Sequence, residues 1–381
     1  MVKKILIIFL CMLSLLSVFV INYDKANADG EHYDAKSALL MDYHSGEILF
    51  EQNSTQRLQI ASMVKIMTLL ICFEEIDCGN LKLDDMINVS ENAASMGGSQ
   101  AFLDANCGYK VEELIKSIIV ASANDSCVAM AEHIAGSVEN FVERMNKRAE
   151  SLRLCDTYFV NCTGLPAPNQ YSCANDIAII SRELFSYPKY YEYAKIWMFD
   201  FVHPSGRITG LTNTNKLVKF YEGCDGGKTG YTNEAKSCLC ATAKRGNTRL
   251  ISVIIGANSS KERNAQISKM LNNGFAKYET KKLVSKGEKL GETIVLSGKE
   301  KNVSYCAERD LYKLVLKNEK VEPQYKYNID KIKAPIKQGE KIGQLDVYID
   351  NNKIDSINLL SMSDINSENY FDILNKMVNS W

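Results

Sequence analysis

Residues 60–75 read IASMVKIMTLLICFEE, the head of an apolar helix with one disturbing detail. Ser62 and Lys65 stand three apart, a spacing that puts both side chains on nearly the same helical face. Taken alone, the pair is a helix cap beside a solvated lysine, or a serine hydroxyl with an amine held against it. The choice decides both fold and chemistry, and the rest of the chain has to make it.

The bulk composition narrows the field. With 381 residues, 46% of them hydrophobic and 24% charged, the chain is long enough for two ordinary domains with proper cores. A net charge of -1 argues against nucleic acid as a partner, since such binders carry a basic excess. At the N-terminus Lys3 and Lys4 precede an apolar stretch from Ile5 to Ile21, and Ala26-Asn27-Ala28 follows. That is the layout of a secretory signal peptide over residues 1–28, so the protein is expected to be exported and to work outside the cytoplasmic membrane. Leu10 before Cys11, where lipoprotein processing needs a small residue, argues against lipidation there.

Removing Cys11 with the signal leaves 11 of the 12 cysteines, an odd number with no repeated spacing. Four histidines and no paired C-x-x-C unit give a metal little to bind, so buried free thiols are expected and neither metal nor cofactor.

The pattern along the chain is that of an α+β fold. Ala38–Tyr43 and Gly46–Phe50 flank His44-Ser45 as a hairpin. Helical segments follow from about Val111 to Leu154 and from Asn175 to Phe185, the last closed by Pro188. Two apolar strands within Ser237–Ala257 flank Arg245-Gly246-Asn247, and a helix runs from about Lys261 to Tyr278. Strands at both ends with helices between suggest one sheet that joins the termini of a domain spanning 29–278. Short strand-like runs such as Glu292–Leu296 and Lys313–Leu316 then read as a small all-β domain over 279–363. Residues 364–381 close the chain as an amphipathic helix, with Tyr370, Phe371, Leu374, Met377, Val378 and Trp381 on one face. Such a face suits peripheral contact with a membrane surface.

No G-x-S-x-G elbow, H-E-x-x-H or phosphate-binding glycine loop occurs. A serine nucleophile here needs a base other than histidine, and Lys65 serves if its pKa is lowered. S-x-x-K alone is weak, since Ser186-Tyr187-Pro188-Lys189 also fits it. Ser122-Ala123-Asn124 lies between apolar runs, though S-x-N recurs at Ser90, Ser356 and Ser367, where turns and caps explain it. Lys228-Thr229-Gly230 occurs once, at the entry to a strand region whose edge suits an extended peptide ending in a carboxylate. The order S-x-x-K, S-x-N, K-T-G is more telling than any member of it.

With these motifs, the longer strings ASMVKIMT, SANDSCVAMAEHIAG, FVNCTGLP, NTNKL, DGGKTGYTNEA and IGANSSKER resemble the low-molecular-mass penicillin-binding proteins, the serine D-Ala-D-Ala carboxypeptidases. The likeness runs from about residue 36 to 278, and more loosely through the β domain and terminal helix. Val64 departs from it, where the family often has threonine. The resemblance implies a penicillin-binding or β-lactamase-like transpeptidase fold. It implies Ser62 as nucleophile, Lys65 as base, Ser122 as proton relay and Asn124 as a holder of the substrate amide. Lys228 and Thr229 would bind the terminal carboxylate with Arg263 near, beside Gly230, and the backbone N–H groups of Ser62 and Tyr231 would form the oxyanion hole. Three cations around one site would lower the Lys65 pKa. The implied partners are peptidoglycan stem peptides ending in D-Ala-D-Ala, with β-lactams as covalent inhibitors. Endopeptidase or β-lactamase activity on the same scaffold, or a silent wall-binding role, are the alternatives; no glutamate for β-lactam deacylation stands out between Ser122 and Lys228.

Overall fold

The computed structural model describes residues 31–372 and residue 374. The signal-peptide reading of residues 1–28 lies outside them, as does most of the segment expected to form the C-terminal helix. The described chain forms two compact units that divide between Ala276 and Lys277.

In the first unit, β1 (Ser37–Asp42) and β2 (Ile48–Gln52) form the opening hairpin. A single 3-10 turn, Ala61–Val64, leads into α1 (Lys65–Asp77). Next come α2 (Val111–Ala121), α3 (Asn124–Ala135), α4 (Val138–Ser151) and α5 (Ala174–Leu184). Pro188 does not merely stop α5. It stands at the first position of a further helix, α6 (Pro188–Ala194), where its fixed φ and missing N–H cost nothing. After a small hairpin of Met198–Val202 and Ile208–Thr212, the chain re-enters the main sheet as β3 (Cys224–Thr232), β4 (Lys236–Arg245) and β5 (Thr248–Ala257), and ends the unit in α7 (Ser260–Lys277).

These five strands form one antiparallel sheet in the order β2-β1-β5-β4-β3, so the first strand of the unit lies beside the last strand of that sheet. Strand alternation divides β1 between two cores. Leu39 and Met41 pack with Val253, Cys238, Cys240 and the apolar faces of α1 to α5, while Ala38 and Leu40 pack with Leu239, Ile254 and α7. At Gly274 of α7 an added Cβ would come within 2.8 Å of Leu40 and 2.7 Å of Leu250, which is how closely that helix lies on the sheet.

Helix α2 forms because Leu114, Ile115, Ile118 and Ile119 share a buried face and Glu112 and Glu113 complement the dipole in its first turn. Ser122 ends it with left-handed backbone (φ 65°, ψ 32°), and α3 restarts two residues later, at Asn124. The expected break in buried structure is therefore a two-residue joint between helices. Lys228-Thr229-Gly230 lies inside β3, the outer strand of the sheet, rather than at a strand entry.

The second unit is sheet-rich. Six strands, among them Lys289–Leu296, Asn302–Ala307, Lys341–Ile349 and Asn352–Ser361, form its main sheet around a core of Val303, Leu345, Val347, Ile357 and Leu359. The terminal helix starts later than the apolar pattern suggests. Ile365 bridges Ile336, the Lys299 N–H donates to the Asn366 carbonyl, and the Glu368 N–H donates to Ser297. Helical backbone begins at Tyr370. Asn369 and Asp372 cap it reciprocally, each side chain accepting the other's N–H at 2.9 Å.

Candidate active site

Ser62 occupies the 3-10 turn rather than the first turn of the α-helix, and this sharpens its relation to Lys65. Side chains three apart eclipse in a 3-10 turn, and Lys65 Nζ donates to Ser62 Oγ at 3.0 Å. Lys65 is no solvated charge; it is fully buried. Its amine also donates to Asn124 Oδ1 at 2.7 Å and to the Thr163 carbonyl. Burial holds its pKa below the ordinary lysine value.

Two glycines clamp the backbone that carries Ser62. An added Cβ at Gly164 (φ +81°) would come within 2.1 Å of the Ala61 carbonyl oxygen. At Gly230 it would lie 2.7 Å from the Ile60 oxygen and 3.1 Å from the Ser62 nitrogen. The missing side chain at Gly230 lets β3 run directly alongside the turn that carries Ser62.

Across the groove, Lys228 Nζ donates to Ser122 Oγ at 2.7 Å and to the Thr229 carbonyl at 3.1 Å. Thr229 Oγ1 donates to Thr214 Oγ1 at 2.8 Å. Lys228 is buried, and its pKa falls well below the ordinary lysine value, first through burial and then through repulsion from Lys65. Arg263, also buried, donates to the Cys238 carbonyl at 3.2 Å, and burial lowers its pKa to about 10. The expectation that three cations depress Lys65 is corrected here: burial is the main cause at Lys65, and cationic repulsion is felt at Lys228, from Lys65 and Arg263.

Ser62, Ser122, Thr229, Gly230, Tyr231 and Arg263 line one open groove of ≈ 430 Å³. Lys65, Asn124 and Lys228 are buried beside it, tied to the groove's serines or to one another. All nine residues singled out from the sequence are thus brought together. Tyr231 is the exposed member, a rim rather than a wall.

The sequence reading missed Ser99, Thr214, Lys216 and Ser260, which complete the lining, and the Thr163 carbonyl. A carbonyl carries no signal in residue type, although FVNCTGLP and NTNKL mark the right segments. Asp125 was also unforeseen. Its carboxylate accepts the N–H groups of Ala101 at 3.0 Å and Leu103 at 3.1 Å. That secures a loop whose Gly97 carbonyl accepts Asn124 Nδ2 at 2.7 Å and whose Ser99 carbonyl accepts the Asn124 N–H at 2.7 Å.

All eleven described cysteines are free thiols, seven of them buried. Cys127 and Cys162 lie near enough to Lys65 to influence its titration, and burial pushes the Cys127 thiol up to about 11. Among the described residues no group of three or more His, Cys, Asp or Glu is placed to hold a metal ion.

Comparison with known proteins agrees with this geometry. The family model described as D-alanyl-D-alanine carboxypeptidase matches residues 24–259, and that for the C-terminal domain of penicillin-binding protein 5 matches residues 278–367. The D-alanyl-D-alanine carboxypeptidase DacF of Bacillus subtilis is 40% identical over 92% of this chain and 90% of its own. The carboxypeptidase DacA of Haemophilus influenzae is 36% identical over 88% of this chain and 86% of its own. Among solved structures, penicillin binding protein 5 from Haemophilus influenzae superposes with a TM-score of 0.69 at 34% identity, covering 89% of this chain and 100% of that one. With a buried Lys65 held against Ser62 at the groove and both units matched in order, the chain belongs to the D-alanyl-D-alanine carboxypeptidase family, the low-molecular-mass penicillin-binding proteins.

Proposed function

We propose that the protein removes the terminal D-alanine from peptidoglycan stem peptides through an acyl-enzyme on Ser62. The observation that carries this reading is the Lys65 amine, buried and 3.0 Å from Ser62 Oγ. An amine whose pKa burial lowers can take the hydroxyl proton as Oγ attacks the scissile carbonyl. The backbone N–H groups of Ser62 and Tyr231 receive the growing oxyanion. Ser122, joined to Lys228 at 2.7 Å, relays the proton taken up by Lys65 to the D-alanine nitrogen as its bond to the scissile carbonyl carbon breaks. Lys228, Thr229 and Arg263 hold the substrate carboxylate, and Asn124 holds the amide upstream. Water then attacks the ester, releasing the shortened peptide and restoring Ser62. A β-lactam places a strained amide at the same serine and opens onto it, blocking the site.

The matched wall-acting family and the Lys3-to-Ala28 address together support export, with work at the outer face of the membrane or in the wall. The apolar C-terminal residues add a peripheral membrane contact.

Incubation with an N-acylated D-Ala-D-Ala peptide tests the reading. The wild type should release D-alanine and label with penicillin at Ser62, and Ser62→Ala should do neither. Equal release from both proteins would overturn it.

A further inference from the structure

Strand β3 is the outer strand of its sheet, so β4 supplies backbone partners on one side only. Its approach to Lys228 is irregular. The register slips between Cys224 and Gly226, and Gly227 adopts a backbone that favours glycine (φ +129°). An added Cβ there would lie 2.2 Å from the Cys240 carbonyl oxygen of β4. Gly227 turns both of its polar backbone groups to one side chain. Its N–H donates to Tyr190 Oη at 2.9 Å, and the same hydroxyl donates to its carbonyl at 3.4 Å. One phenol thus stands where a further strand would, at the residue before Lys228. Tyr190 is 1% exposed on α6, its ring flanked by Phe73, Phe185 and Tyr191 at centroid distances of 6.2, 5.2 and 5.6 Å. That packing fixes the hydroxyl in place. Gly226 makes room for it, since an added Cβ would come within 2.8 Å of Tyr190 Cε1 and 3.3 Å of its Oη. The two glycines before Lys228 therefore have separate reasons, one the ring and the other the close pass to β4.

We propose that Tyr190 is a positioning residue for the Lys228 ammonium, holding β3 so that this amine stays at Ser122 Oγ and within reach of the substrate carboxylate. The proposal rests on the carboxypeptidase reading for the part that Lys228 plays. Lys228 needs such a hold. Its 2.7 Å bond to Ser122 keeps it where Lys65 and Arg263 both repel it. Repulsion between like charges drives the amine away from them, and an outer strand is the one free to yield. Two residues beyond Lys228, Gly230 passes against the turn that carries Ser62. Lys228 and Thr229 are thus spanned between that pass and the Tyr190 clamp. The residues ahead of the clamp are tied as well. Asn215 Nδ2 donates to the Gly226 carbonyl at 3.1 Å, and Arg249 donates to both carboxylate oxygens of Asp225 at 2.7 and 2.8 Å. Tyr190 makes the last of these ties before the amine, and the one made directly to the residue that precedes it.

The test is a double-mutant cycle on the rate of penicillin acylation at Ser62. Tyr190→Phe keeps the ring and removes both bonds to Gly227. In the wild-type background it should slow acylation about tenfold, short of the roughly 10²-fold that a displacement near 1 Å costs. In the Lys228→Ala background the same change should slow acylation by less than about twofold, because the amine it positions is gone. Equal losses in both backgrounds would mean that Tyr190 only supports the fold, and would overturn the proposal. No loss in the wild-type background would overturn it too. Should Tyr190→Phe fail to fold, Gly226→Ala displaces the same ring with its hydroxyl intact, and the same two ratios decide. The cycle needs no peptide substrate. A wild type that penicillin acylates but that releases no D-alanine from an N-acylated D-Ala-D-Ala peptide would defeat the carboxypeptidase reading, and the acylation ratios would still decide the role of Tyr190.

Discussion

Lys65 and Lys228 are two buried amines that reach Asn124 and Ser122, residues only two apart. As the proposed base, Lys65 would act only when neutral, so acylation should rise with pH through its pKa, which burial holds below the ordinary 10.5. Burial rather than Lys228 sets that pKa, so Lys228→Ala should leave the acid limb of penicillin acylation within about half a pH unit of wild type. A clear alkaline shift in the pH profile of acylation would show instead that Lys228 controls the base. Ser122 carries a different cost, because its left-handed backbone strains a residue with a Cβ by about 1 kcal/mol. Ser122→Gly and Ser122→Ala both lose the hydroxyl and should both lose D-alanine release. The glycine variant should melt a few degrees higher than the alanine one, about 1 kcal/mol at this domain size. Equal melting temperatures would mean the joint stores no strain.

Elements rather than residues bring Ser62 to its partners. A 3-10 turn, the outer strand β3 and the Thr163–Gly164 loop meet at one point, and they meet only because two glycines leave room. Gly230 carries no positive φ, so alanine there strains no dihedral. It pushes β3 off the Ser62 turn instead, and a displacement near 1 Å at a reacting group costs on the order of 10²-fold in rate. Gly230→Ala should therefore lose about that much penicillin acylation while still melting cooperatively near the wild-type temperature. Undiminished acylation would show that β3 can back away freely. Much of this was legible in sequence. Ser62, Lys65, Ser122, Asn124 and Lys228 have side chains whose chemistry demands a reason, and the β1–β2 and β4–β5 hairpins show in alternation and turn residues. Contributions made through backbone were not legible. The Thr163 carbonyl, the close pass at Gly230 and the loop pinned by Asp125 join segments 98, 168 and 24 residues or less apart in sequence. No local pattern records such meetings. Pro188 misled for a related reason, since proline both stops one helix and starts another, and only the following buried Tyr190 and Tyr193 decide which.

For the whole molecule, the remaining question is what holds it at its substrate, and the C-terminal residues bear on it. Residues through Glu368 belong to the β unit, tied by the Ile336–Ile365 bridge and the Glu368-to-Ser297 hydrogen bond. Helical backbone thus begins at Tyr370, later than the apolar pattern alone suggests, and Asp372 pairs with Lys299 at 3.5 Å. Placing Glu368 outside the helix also removes its charge from the account, leaving Asp372 against Lys376 and no net charge. Tyr370 and Phe371 are 72% and 73% exposed, with Leu374 exposed beside them. Among the described residues no helix is long and apolar enough to cross a membrane, so a contact made here is an interfacial one. Its strength would come from burying aromatic and aliphatic surface, at about 25 cal/mol per Å², and hardly from anionic lipid. Protein beginning at residue 29 should then float with lipid vesicles, and 1 M salt should not release it, because salt screens charge and leaves apolar burial intact. Deleting 370–381 should abolish flotation and leave penicillin labelling of Ser62 at its full extent. Vesicle binding that survives the deletion, or that salt reverses, would place the membrane contact elsewhere on the molecule.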